Sequence, residues 1–194
     1  MNFLNKYLAE HIKISNNLDL RVILKIIQNI LNIRKDKGRL FIIGVGGSAA
    51  NASHAVNDFR KLCGIEAYSP ADNISELTAR TNDDGWESVF EGWLKVSNIS
   101  KKDGLLILSV GGGNLKKNVS VNIIKAIRLA KNKKTKIISI VGKKDGYAAI
   151  HSDECLVVPC VNDKHITPHS ETFQTMIWHM IVSHPLLKKN KTKW

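Results

Sequence analysis

The sequence is poor in the residue types that mark several classes of protein. It contains three cysteines among 194 residues, and only 6% of its residues are aromatic. The odd number of cysteines and their spacing do not fit a disulfide framework or a cysteine metal site, which favours free thiols in a reducing compartment. Few aromatic residues interleave with the basic ones, so we expect no surface for stacking nucleic-acid bases. No apolar run approaches the roughly 20 residues of a membrane span.

The composition that remains is typical of one globular domain. Apolar residues make up 43% of the chain and charged residues 24%, as in proteins that bury a core. The length suits a single domain over residues 1–194, and no repeat or long linker divides it. The N-terminal residues lack the apolar segment of a secretion signal, so we expect a cytoplasmic protein with no membrane contact.

The charge is strongly positive, with a formal net charge of +12. Lysines are dense over residues 116–136 and again over 186–194, where they predict a basic tail. Such a surface is either a solvated, lysine-rich face or one that attracts phosphorylated molecules. The sequence leaves both interpretations open, although nucleic acid is not the expected partner.

Apolar runs alternate with helical patterns along most of the chain. Helical spacing of leucine and isoleucine predicts an N-terminal helical segment over residues 1–35. Short apolar runs predict buried strands at 40–43, 105–108, 137–141 and 155–158, with a short strand at 66–68. Helices are predicted at 50–62, 74–80, 86–97, 116–131 and 170–183. This order predicts an α/β fold, a three-layer αβα sandwich with a central parallel sheet and extra N-terminal helices.

Two glycine-rich turns follow predicted strands. The first is Gly-Val-Gly-Gly-Ser at 44–48, and the second is Ser-Val-Gly-Gly-Gly-Asn at 109–114. Glycine lets the backbone approach a ligand, and the N–H groups that begin the next helix attract anions. We expect Ser48 to be a helix N-cap or a phosphate donor. A purely structural role for the first turn stays open as the alternative.

Nucleotide-binding motifs fit the sequence less well. Gly44, Gly46 and Ala49 match a dinucleotide fingerprint, with Glu66 near the distance of its ribose-binding acid. That acid should end a strand, whereas Glu66 begins a predicted one. The P-loop pattern is absent, which excludes ordinary P-loop NTPase chemistry.

Two pairs of polar residues lie at helical spacing. His54 and Asp58 are four residues apart, and Glu171 and His179 are eight apart on the last predicted helix. Two histidines and two carboxylates could hold a divalent metal, zinc first, or supply a general acid and base. Each pair alone could equally be a solvated polar pair.

One further histidine pair carries no prediction of function. His165 and His169 are four residues apart but flank Pro168. Because proline disfavours a helical interior, we expect these two histidines to lie in a loop.

Together these motifs resemble those of the sugar isomerase (SIS) domain family, and within it the phosphoheptose isomerases. Over residues 20–185 the features occur in the family's order. The first glycine turn looks like the family's Gly-Asn-Gly-Gly-Ser, and His54 and Asp58 match its His-x-x-x-Glu pair. Residues 81–86 look like its Ala-Asn-Asp-x-Gly-Phe/Tyr segment, residues 109–114 occupy the place of its phosphate loop, and Glu171 and His179 stand where it has Gln and His. Several motifs in sequence order are more specific than any single one.

The resemblance implies a SIS-type, flavodoxin-like fold and an aldose–ketose isomerase. The implied reaction converts sedoheptulose 7-phosphate to D-glycero-D-manno-heptose 7-phosphate through an enediol, for lipopolysaccharide or capsule heptose. The implied roles are catalysis by Asp58 and His179, zinc binding by those two with His54 and Glu171, and homotetramer packing by residues 1–35. Substrate contacts are implied for Gly46, Gly47, Ser48, Asn82, Asp83, Ser109, Gly111, Gly112, Gly113 and Asn114.

The sequence also departs from the family's pattern. Val110, Gly111 and Asn114 replace hydroxyl residues of the phosphate loop, Asp58 is one methylene shorter than the usual glutamate, and Glu171 replaces an amide. Two alternatives therefore stay open. One is an isomerase of another sugar phosphate, and the other is a non-catalytic SIS module that binds a protein or a ligand.

Overall fold

A five-stranded parallel sheet organises the chain, for which a computed structural model describes residues 2–192. The strands are β1 (Leu40–Ile43), β2 (Ala67–Tyr68), β3 (Gly104–Ser109), β4 (Lys136–Val141) and β5 (Glu154–Val157). Their order is β2-β1-β3-β4-β5, and every neighbouring pair is parallel. This flavodoxin-like order confirms the predicted α/β class.

Helices cover both faces of the sheet and complete three layers. They are α1 (Phe3–Asn16), α2 (Leu20–Lys35), α3 (Gly47–Cys63), α4 (Ile74–Asp84), α5 (Val89–Val96), α6 (Val121–Asn132), α7 (Tyr147–His151) and α8 (Ile166–Ser183). Side chains of α2, α3 and α8 form one apolar core with the sheet, and those of α5 and α6 form the other. Within residues 2–192, no helix is both long and apolar enough to cross a bilayer.

The central strands read as continuous apolar runs because both of their faces are covered. All four residues of β1 and all six of β3 are buried. The packing of α2 follows its helical period, since Ile23, Ile26 and Ile30 point into the core. Asp19 caps this helix by accepting hydrogen bonds from two backbone N–H groups.

All five helices predicted after residue 35 start or end elsewhere, and α4 continues to Asp84 rather than ending at residue 80. The helix after the first glycine turn starts at Gly47 rather than at residue 50, and α6 starts at Val121 rather than at 116. Between them, residues 86–88 form a short 3-10 turn ahead of α5. The last helix starts at Ile166, so the loop predicted around Pro168 is wrong. Proline is tolerated there because the N–H groups of a first helical turn have no intrahelical partner.

The residues ahead of α6 form a separate closed turn. Asn114 and Val119 exchange two backbone hydrogen bonds, of 2.8 and 3.0 Å. The side chain of Asn114 also accepts a bond from the N–H of Lys117. These bonds keep residues 116–119 out of the helix that was predicted to start at residue 116.

The N-terminal helix is attached to the start of α8 through Glu10. Its carboxylate accepts hydrogen bonds from His165, Asn162 and His169, which lower its pKa to about 2. The opposite side of α1 exposes three large apolar residues, each more than half accessible: Leu4, Leu8 and Ile12. Phe3 is also exposed but lies beside His165. This helix therefore presents an apolar surface away from the rest of the chain.

The first part of the predicted basic tail packs against the body of the protein. Leu187 is fully buried, and Arg34 donates hydrogen bonds to the carbonyls of Leu186 and Leu187. The backbone N–H of Lys189 donates to Leu62. The last two residues of that prediction, Lys193 and Trp194, lie outside the described residues.

A buried ion pair fastens the amino-terminal edge of the sheet. The carboxylate of Asp103, only 3% exposed, accepts hydrogen bonds from the backbone and guanidinium of Arg39 and from Ser100. Burial alone would raise the pKa of Asp103, but these hydrogen bonds outweigh it and hold the pKa below its usual value. The ionised form is thus the one that the fold stabilises.

Candidate active site

The two glycine-rich turns lie side by side at one edge of the sheet. Strands β1 and β3 are paired, with Ile43 opposite Ile107, so the turns that follow them are neighbours. The helices that follow, α3 and α6, pack on opposite faces of the sheet. In open parallel sheets this change of direction leaves a crevice in which ligands bind.

The first glycine turn faces a carboxylate from α8. Gly46, at φ +64°, forms the N-cap of α3 without a side-chain hydrogen bond. A Cβ atom at Gly47 would lie 2.5 Å from Oε2 of Glu171, so the carboxylate occupies the space that glycine leaves. A negative charge is favourable beside the free N–H groups at a helix start.

Ser48 lies inside the first turn of α3 rather than at its cap, so the N-cap prediction is wrong. The side chain is buried, and its hydroxyl donates a 2.9 Å hydrogen bond to Oε1 of Gln174 on α8. The cause is the earlier start of the helix, which turns this residue towards α8. Ser48 thereby connects the two helices that carry the other candidate residues.

Three polar residues that the sequence analysis missed complete this connection. The side-chain amide of Asn51 donates to Oε1 of Gln174 and to the backbone carbonyl of Glu171. The side-chain oxygen of Asn51, Oδ1, accepts a 2.7 Å bond from the hydroxyl of Thr175. The signal that could have identified them is their polar character at positions where α3 and α8 otherwise carry small or apolar residues. The network fixes the register of α3 against α8.

Further along the same two helices, His54, Asp58 and His179 form a second group, here called the histidine–aspartate cluster. One ligand atom from each lies within 4.8 Å of the other two. His179 Nε2 is 3.6 Å from Asp58 Oδ2, and the two imidazole centroids are 5.3 Å apart. The buried ring of Trp178 packs against both imidazoles, with ring centroids 4.7 Å from His54 and 3.6 Å from His179.

This cluster borders a cavity of about 420 Å³. The other residues that line it are Asn57, Lys61, Leu62, Ser183 and Thr192. Two imidazole nitrogens and a carboxylate oxygen are a donor set that suits zinc, and the same groups can exchange protons with a bound molecule. The cluster therefore brings together donor atoms of the predicted types, and their roles in metal binding and proton exchange stay predictions.

Glu171 stands apart from the other three predicted metal ligands. It precedes His179 by eight residues on α8, which is about 12 Å along a helix axis. Its carboxylate lies at the first glycine turn, because the missing Cβ of Gly47 leaves room there. The structure thus brings together three of the four predicted ligands and places the fourth in the crevice.

Hydrogen bonds to the Ser109 hydroxyl and to the start of α7 hold the second glycine turn in its conformation. Ser109 is buried, and its hydroxyl accepts a bond from the N–H of Gly112. Gly112 and Gly113 have φ values of +69° and +89°, and their carbonyls accept bonds from the start of α7. A cavity of about 150 Å³ adjoins the turn, lined by Gly111, Gly113, Asn114, Lys117, Val119, Lys143, Asp145 and Gly146.

Asn82 and Asp83 lie elsewhere, in the last turn of α4. Both are exposed, and the amide of Asn82 donates a 2.8 Å hydrogen bond to Asp83. Neither residue lines the two cavities just described. In one chain, the predicted substrate residues are thus distributed over three places.

The cysteines take no part in these groups. Burial raises the pKa of Cys63 and of Cys155 to about 11, which keeps both thiols protonated near neutral pH. All three cysteines are unpaired, as their spacing predicted.

Comparison with known proteins gives the family. The sequence pattern of the SIS domain matches residues 6–142. A phosphoheptose isomerase of Helicobacter pylori (strain ATCC 700392 / 26695) is 30% identical over 157 residues, 78% of this chain and 76% of that protein. A phosphoheptose isomerase of Aneurinibacillus thermoaerophilus is 27% identical over 192 residues, 92% of this chain and 91% of that protein.

The structure of a phosphoheptose isomerase from Neisseria gonorrhoeae has the same fold, with a TM-score of 0.80 at 23% identity over 92% of this chain and 94% of that one. The chain therefore belongs to the SIS domain family and, within it, to the phosphoheptose isomerases.

Proposed function

We propose that the protein converts sedoheptulose 7-phosphate to D-glycero-D-manno-heptose 7-phosphate. The observation that carries this proposal is the convergence of His54, Asp58 and His179 at one cavity in a chain related to phosphoheptose isomerases. Aldose–ketose isomerisation needs groups that move one proton between neighbouring carbons and another between their oxygens. An imidazole beside a carboxylate supplies both.

Proton exchange is assigned to His179 and Asp58. His179 removes a proton from C1 of the ketose, which gives the enediol, and returns a proton to C2. Asp58 exchanges the hydroxyl proton, so that O1 becomes the carbonyl oxygen and O2 the new hydroxyl. The 3.6 Å between the two side chains keeps both within reach of adjacent substrate atoms.

The donor set of the cluster also fits zinc. Two imidazole nitrogens and one carboxylate oxygen converge within 4.8 Å, as in sites with three protein ligands. His54 and Asp58 would hold the ion while His179 serves as the base, because a ring nitrogen bound to zinc has no lone pair for a proton. Asp58 keeps a second oxygen for proton exchange. When bound, zinc supplies polarisation of the two oxygens of the reacting carbons. Glu171 is assigned to the crevice, where it faces sugar hydroxyls from the first glycine turn.

The two glycine turns are assigned to the phosphate and the sugar chain. Backbone N–H groups of Gly46, Gly47, Gly111 and Gly113 are the proposed anion donors, because the N–H of Gly112 is bonded to Ser109. The roles of Ser109, Asn82, Asp83 and Asn114 remain substrate contacts in this proposal. The predicted contact of Ser48 is not retained, because its buried hydroxyl donates to Gln174. Lys117 and Lys143 add positive charge beside the second turn, where the sequence lacks hydroxyl groups.

A homotetramer would bring these parts together. The cavity at the histidine–aspartate cluster and the cavity at the second glycine turn share no lining residue within one chain. Packing between subunits through the exposed apolar side of α1 would join the cluster of one chain to the turns of another. We place the protein in the cytoplasm, with its product leading to lipopolysaccharide or capsule heptose.

A second candidate substrate class is another sugar phosphate. The replacement of loop hydroxyls by Val110 and Gly111, beside a cavity lined by Lys117 and Lys143, favours an altered substrate. A non-catalytic SIS module has less support, because the histidine–aspartate cluster is intact.

The test is turnover by the purified protein after chelation, with and without added zinc. Sedoheptulose 7-phosphate is offered beside a panel of pentose and hexose phosphates, and products are identified by mass and chromatography. Formation of heptose 7-phosphate that returns with zinc supports the reaction and the metal together. Turnover of another phosphate alone redirects the substrate, and no turnover by the folded protein contradicts the enzyme.

A further inference from the structure

A second group of metal-ligating side chains lies at the opposite end of α8 from His179. It is formed by Glu10, His165 and His169, here called the glutamate–histidine cluster. His165 Nδ1 and His169 Nε2 each lie 2.7 Å from the same oxygen, Oε2 of Glu10. One ligand atom of each residue lies within 4.8 Å of the others. The three ligand atoms come from α1, from the short turn before α8 and from the first turns of α8, and they converge on one position.

The hydrogen bonds around His165 conflict with one another. The backbone N–H of Lys164 donates to Oδ1 of Asn162, which fixes the amide with its Nδ2 donor towards the cluster. This donor is 2.7 Å from Glu10 Oε1 and 3.1 Å from His165 Nδ1. His165 Nδ1 therefore faces a donor on one side and a carboxylate acceptor on the other. A ring nitrogen carries either a proton or a lone pair, so it cannot satisfy both.

A cation would replace the proton between His165 Nδ1 and Glu10, while the amide of Asn162 keeps its bond to Glu10 Oε1. With its lone pair directed at a metal ion, His165 Nδ1 needs no proton towards Glu10, and the positive charge balances the carboxylate. Ligands in a tetrahedral zinc site are about 3.4 Å apart for bonds near 2.1 Å. Each 2.7 Å contact would therefore open by about 0.7 Å, a shift within the freedom of side-chain rotation.

The imidazole of His169 is held in place for such a role. It is 3% exposed and lies between the rings of Tyr7 and His11, with centroid distances of 4.8 and 4.7 Å. Its Nδ1 atom has no hydrogen-bond partner among residues 2–192. Glu10 and His165 are 18% and 23% exposed, so an ion can enter from solvent on their side.

We infer that Glu10, His165 and His169 bind a divalent transition-metal ion, with zinc as the preferred species. This site is separate from the histidine–aspartate cluster and does not depend on its function. The ligands join α1 to the start of α8, so the ion would fix the helix that exposes Phe3 and Leu8 to solvent. Its role would be structural, with the open fourth position taken by water.

The test counts metal ions per chain. Protein stripped with a chelator is loaded with Co²⁺ or Zn²⁺, dialysed, and analysed by mass spectrometry of the metal, with the visible spectrum of Co²⁺ as a second readout. Glu10→Gln and His165→Gln are compared with His151→Gln, a histidine that contacts Lys131 far from both clusters. Circular dichroism confirms that each variant is folded.

We expect Glu10→Gln and His165→Gln each to lose one equivalent of metal, while His151→Gln matches the wild type. Asp58→Asn should keep the equivalent that these two variants lose, which separates this site from the proposed catalytic one. An unchanged metal count in both cluster variants would overturn the inference, whatever the result of the turnover assay. Loss of that equivalent in Asp58→Asn alone would overturn it as well.

Discussion

The carboxylate of Glu171 fills the space where Gly47 lacks a side chain. A Cβ atom at Gly47 would lie 2.5 Å from Oε2 and 2.6 Å from the carboxyl carbon. Gly47 begins α3, and Glu171 belongs to the helix that carries His179. The contact therefore couples the first glycine turn to both helices of the histidine–aspartate cluster.

This coupling predicts a non-additive pair of substitutions. Gly47→Ala should destabilise the protein, because the new methyl group displaces the Glu171 carboxylate. The loss should shrink in the double variant with Glu171→Ala, with a coupling free energy of about 1 kcal/mol. Urea unfolding of the wild type, both single variants and the double variant measures it. Gly111→Ala is the control, since a Cβ there meets no atom within 4 Å; additive losses would contradict the contact.

His179→Ala should reduce turnover by about 100-fold or more, the usual contribution of a general base. The unfolding free energy should change little, because the imidazole is partly exposed. Steady-state kinetics and thermal unfolding measure the two effects. His184→Ala, at the C-cap of α8, is the matched control. Retained turnover in the His179 variant would remove this residue from the mechanism.

Asp58→Asn should lower both zinc retention and turnover. The amide keeps the shape of the side chain but removes the charge that the metal and the proton exchange require. Metal analysis after dialysis, together with the turnover assay, measures the change. Asp36→Asn, at the end of α2, should retain both properties. Full activity without added zinc in Asp58→Asn would separate the reaction from the metal.

Ser48→Ala tests whether this hydroxyl serves the fold or the substrate. The buried hydrogen bond to Gln174 predicts a loss of about 1 kcal/mol in the free energy of unfolding. KM should change little if the hydroxyl does not contact phosphate. Ser53→Ala, on the same helix, is the control for helix propensity. A large rise in KM at unchanged stability would instead assign Ser48 to the phosphate.

Asp103 should make the stability of the protein depend on pH. Its pKa is held below the usual value, so the stabilisation is complete above about pH 4, the pKa range of an unfolded aspartate, and is lost as the pH falls through the lower folded pKa. Asp103→Asn should cost about 3 kcal/mol at neutral pH, since it breaks a buried ion pair. Urea unfolding at pH 7 and pH 3 should show this difference narrowing on acidification.

The largely solvent-accessible pair of Glu91 and Lys95, 29% and 58% exposed, provides the comparison for Asp103. Glu91→Gln should change the unfolding free energy by less than about 1 kcal/mol, because exposed ion pairs contribute little. A gap between wild type and Asp103→Asn that stays constant with pH would contradict the proposed linkage.

The sequence predicted the strands well because buried parallel strands are short apolar runs, as β1 and β3 are. Helix starts were harder to predict, since hydrogen bonds decided them: Gly46 replaces a side-chain cap, and the bridge between Asn114 and Val119 delays α6. The spacing of His54 and Asp58 predicted one cluster. The helical spacing of Glu171 and His179 could not predict where the Glu171 carboxylate lies, because that position depends on the missing Cβ atom of Gly47 in α3.

The glutamate–histidine cluster was missed for a related reason. Glu10 is more than 150 residues from His165 and His169, and no local pattern connects them. Pro168 favoured a loop, whereas its place in a first helical turn allows the helix to include it. Pairing across such a separation is decided by how α1 packs, which a single sequence does not specify.

The turn over residues 114–119 closes on itself through backbone bonds and leaves strand β3 and helix α6 independent of its length. A segment with such an arrangement can be exchanged as a unit, in the way that loops are grafted between antibodies. Because Lys117 of this segment lines the cavity at the second glycine turn, we expect replacement of the segment to change the charge of that cavity. Under the proposed function, substrate range would then be separable from the folding of the sheet.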